Sequence, residues 1–330
     1  MELGDNCIAC GSDRIRDRHI VPEAMYRTGE SFAYRECDVC STLQIEAVPA
    51  DLGNYYNRDN YYSFASPDEK LQRRWLRMPP MRLAMRLNTE LYLRTGLGKG
   101  LSWIKMAGLR PEDRILDIGC GGGTDLFILY LLGFRHLLGA DPFLDATKEL
   151  LPGVSLLKAT HEELDGRFEW VMMHHTFEHI ADPRALLSSV RRILGRNGRV
   201  LIRIPVSGTW AWRHYRENWA QIDAPRHMAL YTVEGFRRIV EECGFLLEHV
   251  FYDSLSFQFW GSELVQAGER HGGTNPDDYF TAEQMAAWTT EAERLNRSLD
   301  GDQACFVLKL SQPANSCTIG SNASQKLAAR

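Results

Sequence analysis

The chain has 330 residues, with 38 Lys and Arg against 43 Asp and Glu, a formal net charge of -5, and 44% hydrophobic side chains. That length predicts one large domain with an accessory piece, and the apolar content is enough for a real core. The acidic balance excludes a general nucleic-acid binder, whose surface would be basic.

Residues 1–20 are polar and hold two cysteines, so they do not read as a secretory leader. The longest apolar run, Leu126 to Leu132, is far below the ~20 residues of a membrane helix. A soluble, cytoplasmic protein with no membrane partner is expected.

In residues 1–50 the pairs Cys7-x-x-Cys10 and Cys37-x-x-Cys40 stand 26 residues apart. This pattern suits metal binding in a reducing compartment better than a disulfide framework. Four thiolates at this spacing can surround one structural zinc ion and stabilise a segment too small to fold alone. A reduced or redox-active set of thiols is the alternative. Gly11 and Ser41 follow the two knuckles and suit tight turns, and residues 31–35 read as a short strand.

Residues 51–110 read as an aromatic, then basic and helical, linker or cap, with Leu71, Trp75, Leu76, Leu83, Leu87 and Leu91 at helical spacing. Residues 68–110 hold ten Lys or Arg against three acids, and residues 253–302 hold ten acids against three arginines. Such runs read as solvated or mutually facing surfaces. A basic wall drawing in a phosphorylated substrate is the sharper alternative.

From residue 111 strands and helices alternate. Strands are predicted at 114–119, 136–141, 154–159, 170–175, 199–205, 245–252 and 304–310. Helices are predicted at 124–132, after the cap Asp182 with Pro183 behind it, and from Thr232 to a stop at Gly244. A short helix closed by Pro152-Gly153 precedes the third strand, and Asn197-Gly198 is read as the turn into the fifth. This pattern predicts an α/β domain at 111–312 with a doubly wound, seven-stranded, mostly parallel sheet. A helical insertion at 254–303 and a tail without a core at 313–330 complete the reading.

The first strand runs into Asp117-Ile118-Gly119-Cys120-Gly121-Gly122-Gly123-Thr124. Glycines let a backbone approach a ligand closely, and open parallel sheets bind ligands at such turns. A dinucleotide turn needs Gly or Ala three positions after Gly121, where Thr124 stands, and a helix start open to a pyrophosphate. An acid at the strand end serves a cation better. S-adenosylmethionine, with an ammonium, a sulfonium and no phosphate, fits that charge; a NAD-linked enzyme is the runner-up.

These residues resemble motifs I and II of class I S-adenosylmethionine-dependent methyltransferases, a Rossmann-like fold, over about residues 112–252. The resemblance implies that Asp117, Gly119, Cys120, Gly121 and Gly123 border the methionine part of the cofactor. It further implies that Asp141 accepts the ribose hydroxyls, Pro142 and Phe143 flank the adenine, and Thr160 and His161 meet its edge. His174 and the stretch 174–183, with Glu178-His179 and Asp182-Pro183, are similar to the family's segment after strand four. Arg192, Ile193, Leu194, Asn197 and Gly198 are similar to its helix end. The cysteine module, with Tyr55, Tyr56, Tyr61, Tyr62 and Ser63, resembles that of sugar C-methyltransferases.

A base for an O–H or C–H acceptor is most simply a histidine. His227 in the stretch 223–227 is the first candidate, followed by His179 and His175; His214 also stands near a strand end. Arg226 is read as a grip for phosphate or carboxylate. Trp210, Trp212, Tyr215 and Trp219 either stack on a sugar or pack their loop. The expected partner is a small molecule, a sugar or phosphorylated sugar. The alternative is a scaffold that has lost catalysis and docks another protein through its cysteine module.

Overall fold

A computed structural model describes residues 4–56 and 101–311 of the chain. The predicted linker helix of residues 71–91, with Tyr61, Tyr62 and Ser63, lies outside the described residues, as does the tail from 313.

The cysteine-containing segment forms a small antiparallel sheet of β1 (Ile15–Pro22), β2 (Ser31–Cys37) and β3 (Leu43–Ile45). Tyr34 faces His19, and Gln44 faces Arg35.

The large sheet is built from β4 (Arg114–Ile118), β5 (His136–Ala140), β6 (Lys148–Leu151), β7 (Val154–Leu157), β8 (Phe168–His174), β9 (Leu194–Pro205), β11 (Phe245–Tyr252) and β12 (Gln303–Leu310). Its order is β11-β12-β9-β8-β4-β5-β7-β6. β7, β5, β4, β8 and β9 run parallel; β12 lies antiparallel between β9 and β11. The order reverses beside β4, which makes the crevice above β4 and β8 the switch point where such folds bind ligands. The intervening β10 (Ala229–Leu230) pairs with β3, so the small sheet takes its fourth strand from the segment that follows β9.

Helices cover both faces. On one face lie α1 (Ser102–Ala107) and α2 (Thr124–Leu132); α2 is apolar nearly all round, with Leu126, Ile128 and Leu129 buried beside Trp103 and Phe134. On the other lie α3 (Pro183–Ile193) and, later in the chain, α5 (Val233–Glu242), while α4 (Trp210–Tyr215) between them packs with Tyr34 and Leu43 of the small sheet. α3 and α5 bury Leu186, Leu187, Val190, Phe236 and Ile239 against Val200, Ile202 and Phe306. Asp182 caps α3 by accepting from the Ala185 N–H at 3.0 Å, and Thr232 caps α5 by accepting from Gly235. Residues 254–303 hold α6 (Phe257–Gln266) and α7 (Ala282–Arg297).

Three expectations are corrected. The sheet has eight strands among the described residues. The eighth, β6, replaces the predicted short helix: Pro152-Gly153 turns one strand into the next, and Gly153 adopts a φ of 81°. Asn197-Gly198 is no entrance turn, because β9 starts at Leu194 straight after α3. The pair sits where the register with β8 slips between Leu194 and Arg199, a bulge.

Candidate active site

The turn after β4 is held by backbone contacts that only glycines permit. The Gly119 and Cys120 N–H groups donate to the Ala140 carbonyl, and φ is 78° at Gly119 and 84° at Gly123. A Cβ on Gly119 would lie 2.3 Å from Thr176 Oγ1, so the turn after β4 and the one after β8 touch there. Asp117 is buried, and its Oδ1 has no hydrogen-bond partner among the described residues. Burial, with Asp125 and Asp141 nearby, pushes its carboxyl well above the ordinary range. A cationic ligand would relieve that cost, which is the fit expected of an ammonium or sulfonium.

At the end of β5, Asp141 accepts from the Gly121 N–H at 3.0 Å and the Phe143 N–H at 2.8 Å. Each oxygen keeps a lone pair for a diol. Pro142 and Phe143 are exposed beside it, and the Phe143 ring stacks on Tyr56 at 6.0 Å, ready to cover a base. The orphaned acid, the forked carboxylate and the exposed ring match the parts of S-adenosylmethionine. Cys120 lines the same turn with its thiol over Gly139. Three other predicted cofactor contacts are occupied by protein. Thr160 is tied to Glu163, His161 lies 3.1 Å from Ser189 Oγ, and the His174 ring packs on Trp103 at 4.3 Å. Burial holds His174 down to about 4, so it is a neutral imidazole.

Beside this turn, at the carboxyl ends of β8 and β9, lies a cavity of about 520 Å³. Its polar lining includes His175, Arg203, Asp223, His227, His271 and Asp302. His175 sits at a φ of 50°, a strained conformation of the kind kept at functional sites, with its N–H donating to the Arg203 carbonyl. His227 is buried, and its Nδ1 meets the Gln221 carbonyl at 2.8 Å. A carbonyl only accepts, so Nδ1 carries the hydrogen and Nε2 has the free lone pair. His179 lies behind His227 with ring centroids 4.6 Å apart, and burial holds it down to about 4. Glu178 is fully buried among them. Burial raises its carboxyl, but His175, His227 and His179 outweigh that, and its pKa falls below the ordinary value.

His175, His179 and His227 are therefore brought together. His214 is not: it stacks on Trp210 at 4.5 Å. Trp212, Tyr215 and Trp219 pack the loop, buried with Tyr34 and Leu43. Arg226 is no free anion grip. It is fully buried, forked onto Asp223 at 2.9 and 2.5 Å and 3.2 Å from Glu23. Sequence reasoning missed Arg203, Asp302 and His271 as lining groups, and only the last strand's position could have pointed to Asp302.

Asp302 carries a testable consequence. Burial raises its carboxyl from the ordinary 3.8 to about 6, although Trp219 Nε1 donates to it at 3.0 Å. A raised acid opposes folding once ionised, by roughly 3 kcal/mol for a shift of this size. That cost grows as pH rises from about 4 to about 6. Asp302→Asn is thus expected to raise the melting temperature at pH 7.5 relative to the parent and to leave it nearly unchanged at pH 4. Equal shifts at both pH values would contradict the assignment.

The four cysteines converge. Cys7 and Cys40 sulfurs lie 3.6 Å apart, as do those of Cys10 and Cys37, and all four lie within 4.8 Å of one another. Four thiolates about 2.3 Å from one zinc would stand about 3.8 Å apart. Gly11 and Ser41 take left-handed φ values of 73° and 56°, as tight knuckles require. The hydrogen bond between Cys7 and Cys40 pulls the Cys40 thiol down to about 5 and pushes that of Cys7 up, so the pair shares one proton with the thiolate on Cys40. The site fits a tetrahedral ion.

Among the described residues no helix is long and apolar enough to cross a membrane. An uncharacterized 37.1 kDa protein in transposon Tn4556 of Streptomyces fradiae is 29% identical over 107 residues, covering 29% of this chain and 31% of that protein. The chain thus spans about a third of the length of the curated relative it matches. Two solved structures are similar at low identity. An S-adenosylmethionine dependent methyltransferase from Mesorhizobium loti is 16% identical, with 68% of this chain and 99% of that one covered and a TM-score of 0.40. The Burkholderia thailandensis 1,6-didemethyltoxoflavin-N1-methyltransferase is 14% identical, with 85% and 96% covered and a TM-score of 0.40. The family model for a methyltransferase domain matches residues 87–250, which hold the glycine turn, Asp141 and, of the cavity wall, His175, Arg203, Asp223 and His227. Over residues 87–250 the chain is thus similar to a methyltransferase domain.

Proposed function

We propose that the chain transfers the methyl group of S-adenosylmethionine to a sugar or nucleotide sugar seated in the cavity beside the Gly119 turn. The observation that carries this reading is the cavity's lining: imidazoles, carboxylates, an arginine and amides around a space of about 520 Å³, with Met25, Leu255 and Phe257 as apolar walls. Such a mixture suits a polyhydroxylated ring, whose edges hydrogen-bond and whose faces are apolar.

The cofactor, held by Asp117, the glycine turn and Asp141, supplies an electrophilic methyl group; the chain aligns the acceptor with it. His227 Nε2 would take the proton of an acceptor hydroxyl whose oxygen faces the methyl group that the cofactor supplies. The backbone carbonyl on Nδ1 fixes the tautomer that this step needs. We assign the four cysteines to a structural zinc ion that stiffens the small sheet, and through it His227, whose carbonyl accepts from Tyr34 Oη at 2.6 Å. The reading of the domain as a NAD site is disfavoured by Asp117, Asp125 and Asp141, which would repel a pyrophosphate.

The test is incubation with methyl-labelled S-adenosylmethionine and a panel of nucleotide sugars, followed by mass spectrometry. A labelled sugar product is expected, lost in His227→Asn. Labelling confined to non-sugar metabolites in a lysate extract would remove the sugar assignment.

A further inference from the structure

The Glu178 carboxylate poses a problem that hydrogen bonding does not solve. It is fully buried, and neither oxygen has a hydrogen-bond partner among the described residues. Three imidazoles stand around it, and the nearest, His175 Nδ1, lies 3.4 Å from Glu178 Oε1. His179 Nδ1 lies 2.9 Å from the Arg226 carbonyl and 3.0 Å from Tyr56 Oη, and His227 Nδ1 lies 2.8 Å from the Gln221 carbonyl. Both Nδ1 atoms therefore carry hydrogen, and both Nε2 atoms offer lone pairs. His227 Nε2 is 3.9 Å from Glu178 Oε1, too far for a hydrogen bond. One donor atom from each of Glu178, His179 and His227 lies within 4.8 Å of the others. His175 is the one imidazole close to the anion, and a cation between Glu178 and the lone pairs of His179 and His227 would stabilise it further.

We propose that Glu178, His179 and His227 form a second metal site, distinct from the four cysteines, which takes a divalent transition ion. Two imidazoles and one carboxylate are the donor set of borderline ions such as zinc, cobalt, nickel, manganese or iron, whereas calcium and magnesium prefer oxygens alone. Each imidazole already donates its other ring nitrogen to a backbone carbonyl, the outer-shell support that metal-bound histidines require. Ligand atoms about 2.1 Å from one ion stand at most about 4.2 Å apart, so binding draws the widest pair in by a few tenths of an ångström. Three protein ligands leave positions open, and His227 directs that open face into the cavity. Acceptor oxygens would complete the shell there, the one part of the inference that rests on the methyl-transfer reading. With an ion bound, His227 is a ligand. Without one, it keeps the role of base given above.

Cobalt(II) separates the two sites by spectrum and needs no turnover. The full chain, stripped of metal under reducing conditions, is titrated with cobalt and followed by absorption and by bound-metal analysis. Two equivalents are expected: one with intense thiolate charge-transfer bands, the other with only weak ligand-field bands. Glu178→Gln and, separately, His227→Asn are expected to lose the second equivalent by at least tenfold in affinity and to keep the thiolate bands. Those retained bands, with an unchanged circular dichroism spectrum, show that a variant has folded. A single equivalent in the parent chain, or a second equivalent that survives in both variants, overturns the proposal. Neither result bears on whether a sugar is methylated.

Discussion

Asp141→Ala is expected to weaken S-adenosylmethionine binding by more than a hundredfold in isothermal titration. Two effects combine. In the proposed site the carboxylate accepts both ribose hydroxyls, and hydrogen bonds to a charged group are worth about 1.5–3 kcal/mol each. The same oxygens hold the Gly121 and Phe143 N–H groups, so alanine also loosens the glycine turn and frees the exposed ring that flanks the base. Burial raises the Asp141 carboxyl above the ordinary value. A raised acid opposes folding when charged, so removing it is expected to leave stability at neutral pH unchanged or slightly increased. The decisive pattern is lost binding with an intact melting transition. Asp141→Asn, which keeps one acceptor oxygen, should fall between the parent and alanine. Binding within threefold of the parent in Asp141→Ala would remove this residue from the cofactor site.

What the sequence disclosed follows from how local each feature is. The glycine turn lies within seven consecutive residues, Asp117 to Gly123, and its meaning rests on dihedral freedom and one acid, so it could be read directly. The helices at Pro183–Ile193 and Val233–Glu242 announced themselves through Asp182 and Thr232, whose side chains accept from N–H groups three residues further on. The strand β6 did not, since four residues with two exposed charges carry no usable period. The cavity was least legible. His175, Asp223, Leu255, His271, Asp302 and Met25 meet only because β12 inserts between β9 and β11 and the small sheet folds over the end of β9. Glu178 read only as part of the stretch similar to the family's segment after strand four, and nothing nearby in the chain foretold that His227 would face it. Arg226 read as a free cation although Asp223 stands three residues before it; its second carboxylate partner, Glu23, lies 203 residues away.

That buried arginine carries the largest expected effect on stability. Arg226 donates to Asp223 through two nitrogens, reaches Glu23 at 3.2 Å and the Tyr55 carbonyl at 3.2 Å, and lies over the Tyr26 ring at 5.4 Å. Glu23 in turn accepts from the Tyr26 and Thr28 N–H groups, so one guanidinium clamps the small sheet's hairpin to the wall of the cavity. Burial pushes the Asp223 carboxyl up, but Arg226 outweighs it and holds Asp223 well below the ordinary carboxylate range. Arg226→Met fills much of the volume yet leaves two buried carboxylates without their cation, which costs about 3–5 kcal/mol. Urea denaturation should show that loss as a lower midpoint with an unchanged slope. The sign of its pH dependence follows from Asp223. In the parent its depressed pKa gives stability that is present above the unfolded value of about 4 and is lost as pH falls. In the variant the same carboxyl loses its cation, its folded pKa moves upward, and the penalty grows with pH instead. The difference between the two proteins is therefore expected to be largest near pH 7 and to shrink toward pH 4. Adding Glu23→Gln and Asp223→Asn to Arg226→Met should restore part of the midpoint, because neutral amides no longer need the missing charge. A loss under 1 kcal/mol at pH 7, or one that does not change with pH, would mean that the guanidinium fills space there without holding the two sheets together.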